Sequence, residues 1–330
     1  MSACRVMRAV VCTELGPPDL LVVQEQPTPE PGPGQALVEV RACGVNFPDT
    51  LIIQGRYQFK AEPPFVPGGE AAGIVTAVGD GVDLVKPGDR VISVGTSGHF
   101  ASAIVADAGT LIPFPDSMDF ETAAGFVLTY ATSQYALRDR ARLEPGETLL
   151  VLGAAGGVGL AAVEIGKAIG ARVIAAASSP EKLAVCAEHG ADDLIDYATD
   201  DLRARLKELT NDRGVDVVYD PVGGAYSEIA LRRMAWDGRY LVIGFATGEI
   251  PRIPLNLTLL KSCSIIGVFW GAFAAMDPQR NRELLGELFA WHAAAKILPL
   301  VSQTYPLERV SDALKDILER KALGKLVLVP

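Results

Sequence analysis

The sequence predicts an α/β protein of two domains: one mostly antiparallel β, the other a parallel sheet wound with helices on both faces. Three observations carry that expectation. At 330 residues the chain is long enough for two separate cores. Its texture changes near Phe120, from short β-like runs cut by Gly and Pro to apolar strands alternating with helical segments. A strand, a glycine-rich loop, a helix and a second strand then follow one another from Thr148 to Ala177.

In the first region the runs MRAVV, ALVEVRA, AGIVTAV, RVISV and FASAIV recur at close spacing, as the strands of a compact antiparallel domain do. The segment PTPEPGPGQ breaks regular structure and is expected at the surface. In the second region TLLVLG, RVIAAA, DLIDY, VDVVYD, RYLVIGF and SIIGVFW alternate with helical patterns such as GLAAVEIGKAIG and DLRARLKELT. That alternation predicts a doubly wound Rossmann sheet. After Trp270 a helix, PQRNRELLGELFAWHAAA, leads to a tail ending in the strand KLVLV, expected to return to the first domain. The expected boundaries are 1–123 with 268–330, and 124–267.

Composition narrows the partners. Lys and Arg total 30 against 40 Asp and Glu, a formal net charge of −10, which argues against nucleic acid. The five cysteines are scattered without a C-x-x-C pair, so no zinc ribbon or disulfide framework is indicated. The opening MSACRVMRAVVCTEL carries two arginines and an acid where a signal peptide needs an apolar run. The apolar stretch 149–163 is too short to span a bilayer, and no polybasic or amphipathic anchor appears. A cytoplasmic protein without membrane partners is expected.

The strongest chemical signal is the loop Gly153-Ala154-Ala155-Gly156-Gly157-Val158-Gly159. Glycines let the backbone approach a pyrophosphate, and a helix N-terminus supplies N–H groups and a positive dipole. The triplet alone is weak evidence; inside a strand–loop–helix–strand unit it predicts a dinucleotide site using Ala155, Gly156, Gly157 and Val158. An NAD site usually ends its second strand in Asp or Glu, on the ribose 2′-OH. Here the strand ends in Ala177, Ser178 and Ser179, with Lys182 following. Two hydroxyls and an ammonium suit a 2′-phosphate, so NADPH is the expected cofactor. The alternative for Lys182 is an ordinary solvated helix residue.

The segments RACGVNFPDT, IIQGRY, PFVPGGEAAGIVTAVG, VKPGDRV, AAGGVGLAAVEIGKAIGA, GADDLIDY, DPVGG and ILERKALGKLVLV span the chain. Together they resemble the medium-chain dehydrogenase/reductase superfamily, in its zinc-free NADPH:quinone oxidoreductase, zeta-crystallin-like branch. The resemblance implies a GroES-like catalytic domain, a Rossmann domain and a cleft between them. Zinc-dependent members have a ligand cysteine followed by His or Arg where this chain has Asn46 and Phe47. Their Gly-His-Glu becomes Gly68, Gly69 and Glu70, and their third ligand falls near Gly125. Zinc requires three or four N, S or O ligands, so no metal is expected. Cys43 reads as a packing residue, with a reactive thiol as the alternative.

Without a Lewis acid, hydride is best delivered to an acceptor already activated by conjugation, such as a quinone or an α,β-unsaturated carbonyl. The resemblance makes Asn46 and Tyr57 the catalytic candidates, with Asn46 also near the nicotinamide. Alternatively Asn46 is a loop cap and Tyr57 an aromatic wall. Asp49 is either the superfamily's acid or a structural cap. By resemblance, Thr129 contacts the nicotinamide end, Tyr197 the adenosine 2′-phosphate, and Lys321 and Lys325 the cofactor. Val222 and Gly223, with Gly244 and Phe245, end parallel strands where cofactors bind. The segment GVFWG, with Phe269 and Trp270, is expected to approach the nicotinamide, and Trp270 to shape the substrate pocket. Glu164 replaces the family's glutamine on a helix face away from phosphate, and is expected to change little. His99, His189 and His292 read as surface or loop residues.

Two rival functions remain open: a 2-enoyl-thioester reductase with Tyr57 as proton donor and Arg56 and Lys60 at the rim, and a non-catalytic, crystallin-like NADPH-binding protein. The apolar edge strand SCSIIGVFW predicts a homodimer built by sheet extension.

Overall fold

A computed structural model describes residues 5–330; Cys4, the opening of the N-terminal segment and the first residues of the expected 1–123 domain lie outside them. Contacts divide the chain into one unit of Met1–Leu128 with Pro299–Pro330 and another of Thr129–Leu298.

In the first unit the strands run, in spatial order, Val301–Pro306, Lys325–Val329, Gln35–Val45, Glu70–Val78, Arg90–Val94 and Ile112–Pro113, with Ala103–Asp107 also on Gln35–Val45. Every pairing is antiparallel except that of Val301–Pro306 with Lys325–Val329. Val6–Cys12 and Leu21–Pro27 form a separate antiparallel pair. Residues of period two from these strands, including Val38, Val40 and Leu328, meet in one core. The helix Val310–Leu318 closes it with Val310, Ala313, Leu314 and Ile317, which share a face at helical spacing. Residues Pro299–Pro330 belong to this unit.

The second unit is a six-stranded sheet, in the order Asp193–Asp196, Arg172–Ala177, Thr148–Leu152, Val215–Asp220, Met234–Val242 and Ser264–Gly267. Every pairing is parallel. Helices cover both faces of the central strands, so Thr148–Leu152 and Val215–Asp220 are buried at every position. That explains their continuous apolar runs.

The contacts divide the chain at other positions than those expected from the sequence. Residues 124–128 stay with the first unit, and 268–298 pack with the second. The helix Pro278–Ala293 is fastened there by polar pairs: Arg280 to Asp139 at 2.8 Å and Gln134 Nε2 to Glu287 at 2.6 Å. Amphipathic periodicity marks this helix but does not say which sheet it covers. Among the described residues no helix is long and apolar enough to cross a membrane.

Candidate active site

The glycine loop leaves the carboxyl end of Thr148–Leu152, between strands Arg172–Ala177 and Val215–Asp220. Gly153 turns the chain at φ +59°, in the left-handed region. A Cβ at Gly159 would lie 2.3 Å from the Gly153 carbonyl oxygen, so only glycine lets the helix pack this close. At Gly156 an added Cβ would meet nothing nearer than 3.6 Å. Gly156 caps the helix Gly157–Ile169, whose first intrahelical bond is Leu160 N–H to the Gly156 carbonyl. The N–H groups of Gly157, Val158 and Gly159 therefore have no intrahelical acceptor and open an anion cradle. Ala155, just before it, is buried.

One strand over, Lys182 Nζ donates to Ser178 Oγ at 3.1 Å, and Ser179 caps the helix Pro180–Glu188 by accepting from Lys182 N–H. The three residues expected at the 2′-phosphate are thus gathered at one strand end. Asp196 pairs in register with Ala177 on the neighbouring strand, but its Oδ1 accepts from Ala198 N–H in its own turn. The ring of Tyr197 packs on Tyr226, with centroids 4.5 Å apart. Tyr226 had no motif to announce it.

The loops after the next two strands are laced together. Thr247 N–H donates to the Val222 carbonyl and Ala246 N–H to that of Pro221, both at 3.0 Å, which fixes Val222 and Gly223 beside Gly244 and Phe245. Buried Asp220 organises this corner, accepting from Val222 N–H (2.7 Å), Gly223 N–H (2.9 Å), Ser227 Oγ (2.7 Å) and the Tyr240 hydroxyl. The sequence pattern DPVGG pointed to Val222 and Gly223 and gave no sign of the aspartate's role.

The first unit holds a buried polar cluster. Asn46 caps the helix Phe47–Ile52, and its N–H donates to Asp49 Oδ2 at 2.7 Å. Its side-chain Nδ2 donates to Glu70 Oε1 at 2.9 Å, and its Oδ1 accepts from Lys325 Nζ at 2.6 Å. Lys325 also donates to Glu70 Oε1 (2.8 Å) and the Val45 carbonyl (3.1 Å). Glu70 Oε2 accepts from Leu128 N–H. Asn46 is therefore a cap and also a member of a charged network. Its second amide proton has a long 3.4 Å contact with the Gly44 carbonyl.

Burial pushes the Asp49 carboxyl up to about 7, although the Asn46 N–H bond and Lys325 pull the other way. Tyr57 is half-buried, its ring centroid 6.1 Å from that of Phe59. Burial, and secondarily Asp49, raises its phenol above the usual value, which keeps the proton it would donate.

A zinc ion does not fit these residues. Gly69 and Gly125 have no side-chain donor, and the side chain of Lys325 packs at the Gly125 position, within 3.1 Å of where a Cβ would be. Asn46 Oδ1 and Glu70 Oε1 already hold the Lys325 ammonium. Cys43 is fully buried in the core and its thiol is pushed up to about 12, which removes the reactive-thiol alternative.

Other expectations separate. Thr129 is buried, with its carbonyl accepting from Ser133 Oγ. Phe269 is 46% exposed, whereas Trp270 is buried and its indole N–H donates to Asn281 Oδ1 at 2.9 Å, holding two helices together. Lys321 is exposed and paired with Glu319 and Asp316. Two histidines read as surface or loop residues do lie in loops, but they are not at the surface. His99 is buried between Ser93 Oγ and the Gly68 carbonyl, both at 3.0 Å. His189 is mostly buried and bonded to Glu164. Nothing in their sequence neighbourhoods signals these partners.

Family models for an alcohol dehydrogenase GroES-like domain and a zinc-binding dehydrogenase match residues 32–116 and 157–289. A quinone oxidoreductase-like protein 2 homolog of Nematostella vectensis is 41% identical over 324 residues, covering 97% of this chain and 88% of that protein. The quinone oxidoreductase of Rattus norvegicus is 34% identical over 328 residues, covering 98% of each. The crystal structure of Escherichia coli quinone oxidoreductase complexed with NADPH superposes with a TM-score of 0.91 at 31% identity, covering 98% of this chain and 100% of that one.

Proposed function

The chain belongs to the quinone oxidoreductase family of medium-chain dehydrogenase/reductases, and on that premise we propose that it is a zinc-independent, NADPH-dependent reductase of quinones or α,β-unsaturated carbonyls. The observation that supports this reading is the Lys325–Asn46–Glu70 cluster, in which an ammonium is bonded to the side chain standing where the resemblance puts a zinc-ligand cysteine. Without a Lewis acid an isolated ketone is a poor acceptor, while a conjugated one spreads the developing charge to an oxygen that hydrogen bonds can stabilise.

NADPH, when bound, supplies the hydride. The N–H groups of Gly157, Val158 and Gly159 would hold its pyrophosphate, and Ser178, Ser179 and Lys182 its 2′-phosphate, with Tyr197 near the adenosine. Thr129, Val222, Gly244, Phe245 and Phe269 remain candidates along the rest of the cofactor. Trp270 and Lys325 act through the side chains they hold, and Lys321 is the weakest candidate because its charge is already matched by two acids. Tyr57 would hydrogen-bond the acceptor carbonyl or deliver the proton to the α-carbon, and the Asn46 amide proton would be a second donor if it left its long 3.4 Å contact with the Gly44 carbonyl.

The acceptor is tested by adding NADPH, and separately NADH, to the purified enzyme with 1,2-naphthoquinone, an enone and crotonyl-CoA, following absorbance at 340 nm. NADPH oxidation well above NADH, with quinone or enone preferred, supports the reading. Arg56 and Lys60, both exposed beside Tyr57, favour an enoyl-thioester reductase as the second reading, and preferred turnover of crotonyl-CoA would select it. NADPH binding with no turnover of any acceptor would leave the non-catalytic role.

The protein is proposed to work in the cytoplasm as a homodimer. The edge strand Ser264–Gly267 exposes Ile265, and Leu255, Leu259 and Leu260 are exposed just before it. An uncovered apolar edge favours pairing with a second copy. Sedimentation at micromolar concentration should show a dimer, and a monomer alone would overturn this assignment.

A further inference from the structure

Glu164 sits inside the glycine-loop helix with 4% of its surface exposed, and three separate segments converge on its carboxylate. Oε2 accepts from the Tyr130 hydroxyl at 2.5 Å. Oε1 accepts from Leu298 N–H at 2.9 Å and from His189 Nδ1 at 2.6 Å, so that ring nitrogen carries the proton. Their places in the chain are what matter. The chain passes between its two units at 128/129 and at 298/299, and Tyr130 and Leu298 stand at those two crossings. His189 is the C-cap of the helix that Ser179 opens and Lys182 occupies. A further bond, Ser133 Oγ to the Val158 carbonyl at 3.0 Å, fastens the segment after the first crossing to the glycine loop itself.

We propose that Glu164 is a positioning residue that locks both chain crossings, and the Ser179–Lys182 helix, onto the glycine-loop helix. A carboxylate suits this task because it only accepts, and all three of its partners donate. Alanine would remove the acceptor on which the three donors converge. Glutamine keeps the shape and one acceptor oxygen, so it preserves part of the lock.

The test uses the full-length protein with Glu164→Ala, Glu164→Gln and His189→Ala. Hydrogen exchange without cofactor reads the lock directly. In Glu164→Ala, amides of 128–134, 186–191 and 296–299 should exchange at least tenfold faster while the strand Gln35–Val45 stays protected. Glu164→Gln should fall between, and His189→Ala should loosen only 180–190. Unchanged exchange, or equal acceleration throughout the chain, would overturn the proposal. If Glu164→Ala does not fold, the other two variants carry the same comparison. The second arm rests on the NADPH reading: the ratio of NADH to NADPH dissociation constants should fall at least threefold in Glu164→Ala and His189→Ala, and an unchanged ratio would remove the cofactor consequence. Failure of the wild type to bind NADPH would sink that reading alone, since the exchange arm needs no cofactor.

Discussion

The Lys325 ammonium lies 2.8 Å from Glu70 Oε1, with 5% of the lysine side chain and none of the glutamate side chain exposed. A buried pair of this kind is costly to break from one side, because the surviving charge has no water to turn to. Lys325→Met should therefore lose about 3–5 kcal/mol of stability. Adding Glu70→Gln should restore part of the loss. Urea unfolding of the single and double variants checks this, and additive losses would mean that the two groups are not coupled.

Asp49 gives the protein a pH dependence of a definite sign. Its carboxyl rises from 3.8 to about 7 in the folded state, so between those values the unfolded chain has released a proton that the folded one keeps. Its contribution to stability is fully present below about pH 4 and is lost as pH climbs to about 7. The stability of Asp49→Asn relative to wild type should then increase across that window. Parallel stability curves for the two proteins would contradict it.

Tyr57→Phe separates a proton donor from an aromatic wall. If the phenol moves a proton, turnover of an enone, whose carbon must be protonated, should fall about 100-fold. Quinone turnover should fall less, and NADPH affinity should not change. Equal turnover of both acceptors by the variant would assign Tyr57 to packing.

Lys182→Ala removes the ammonium bonded to Ser178 and leaves the glycine loop intact. The preference for NADPH over NADH should drop about tenfold, corresponding to about 1.4 kcal/mol. NADH kinetics should stay as they were. A fall in both cofactors alike would point to damage in the helix rather than to a lost phosphate contact.

Gly159→Ala places a methyl group 2.3 Å from the Gly153 carbonyl oxygen, a backbone atom that cannot step aside without moving the loop. Dinucleotide binding should be lost for both cofactors, measured by quenching of protein fluorescence. Retained binding would mean that the loop is softer than its packing implies.

The sequence by itself determined both layers of the fold and the cofactor loop, because those depend on local regularities. Period two in Gln35–Val45, continuous apolar runs in Thr148–Leu152 and glycines at a strand–helix turn each leave a mark within a dozen residues. The gathering of Ser178, Ser179 and Lys182 was legible for the same reason, since one turn of helix brings them together. Contacts across long separations were decided only by the tertiary structure. Lys325 reaches Asn46 and Glu70 from the far end of the chain, and Glu164 meets Tyr130, His189 and Leu298 from three directions. Periodicity tells which side of an element is buried; it does not tell which buried polar groups will find one another, because that is settled by how the elements pack.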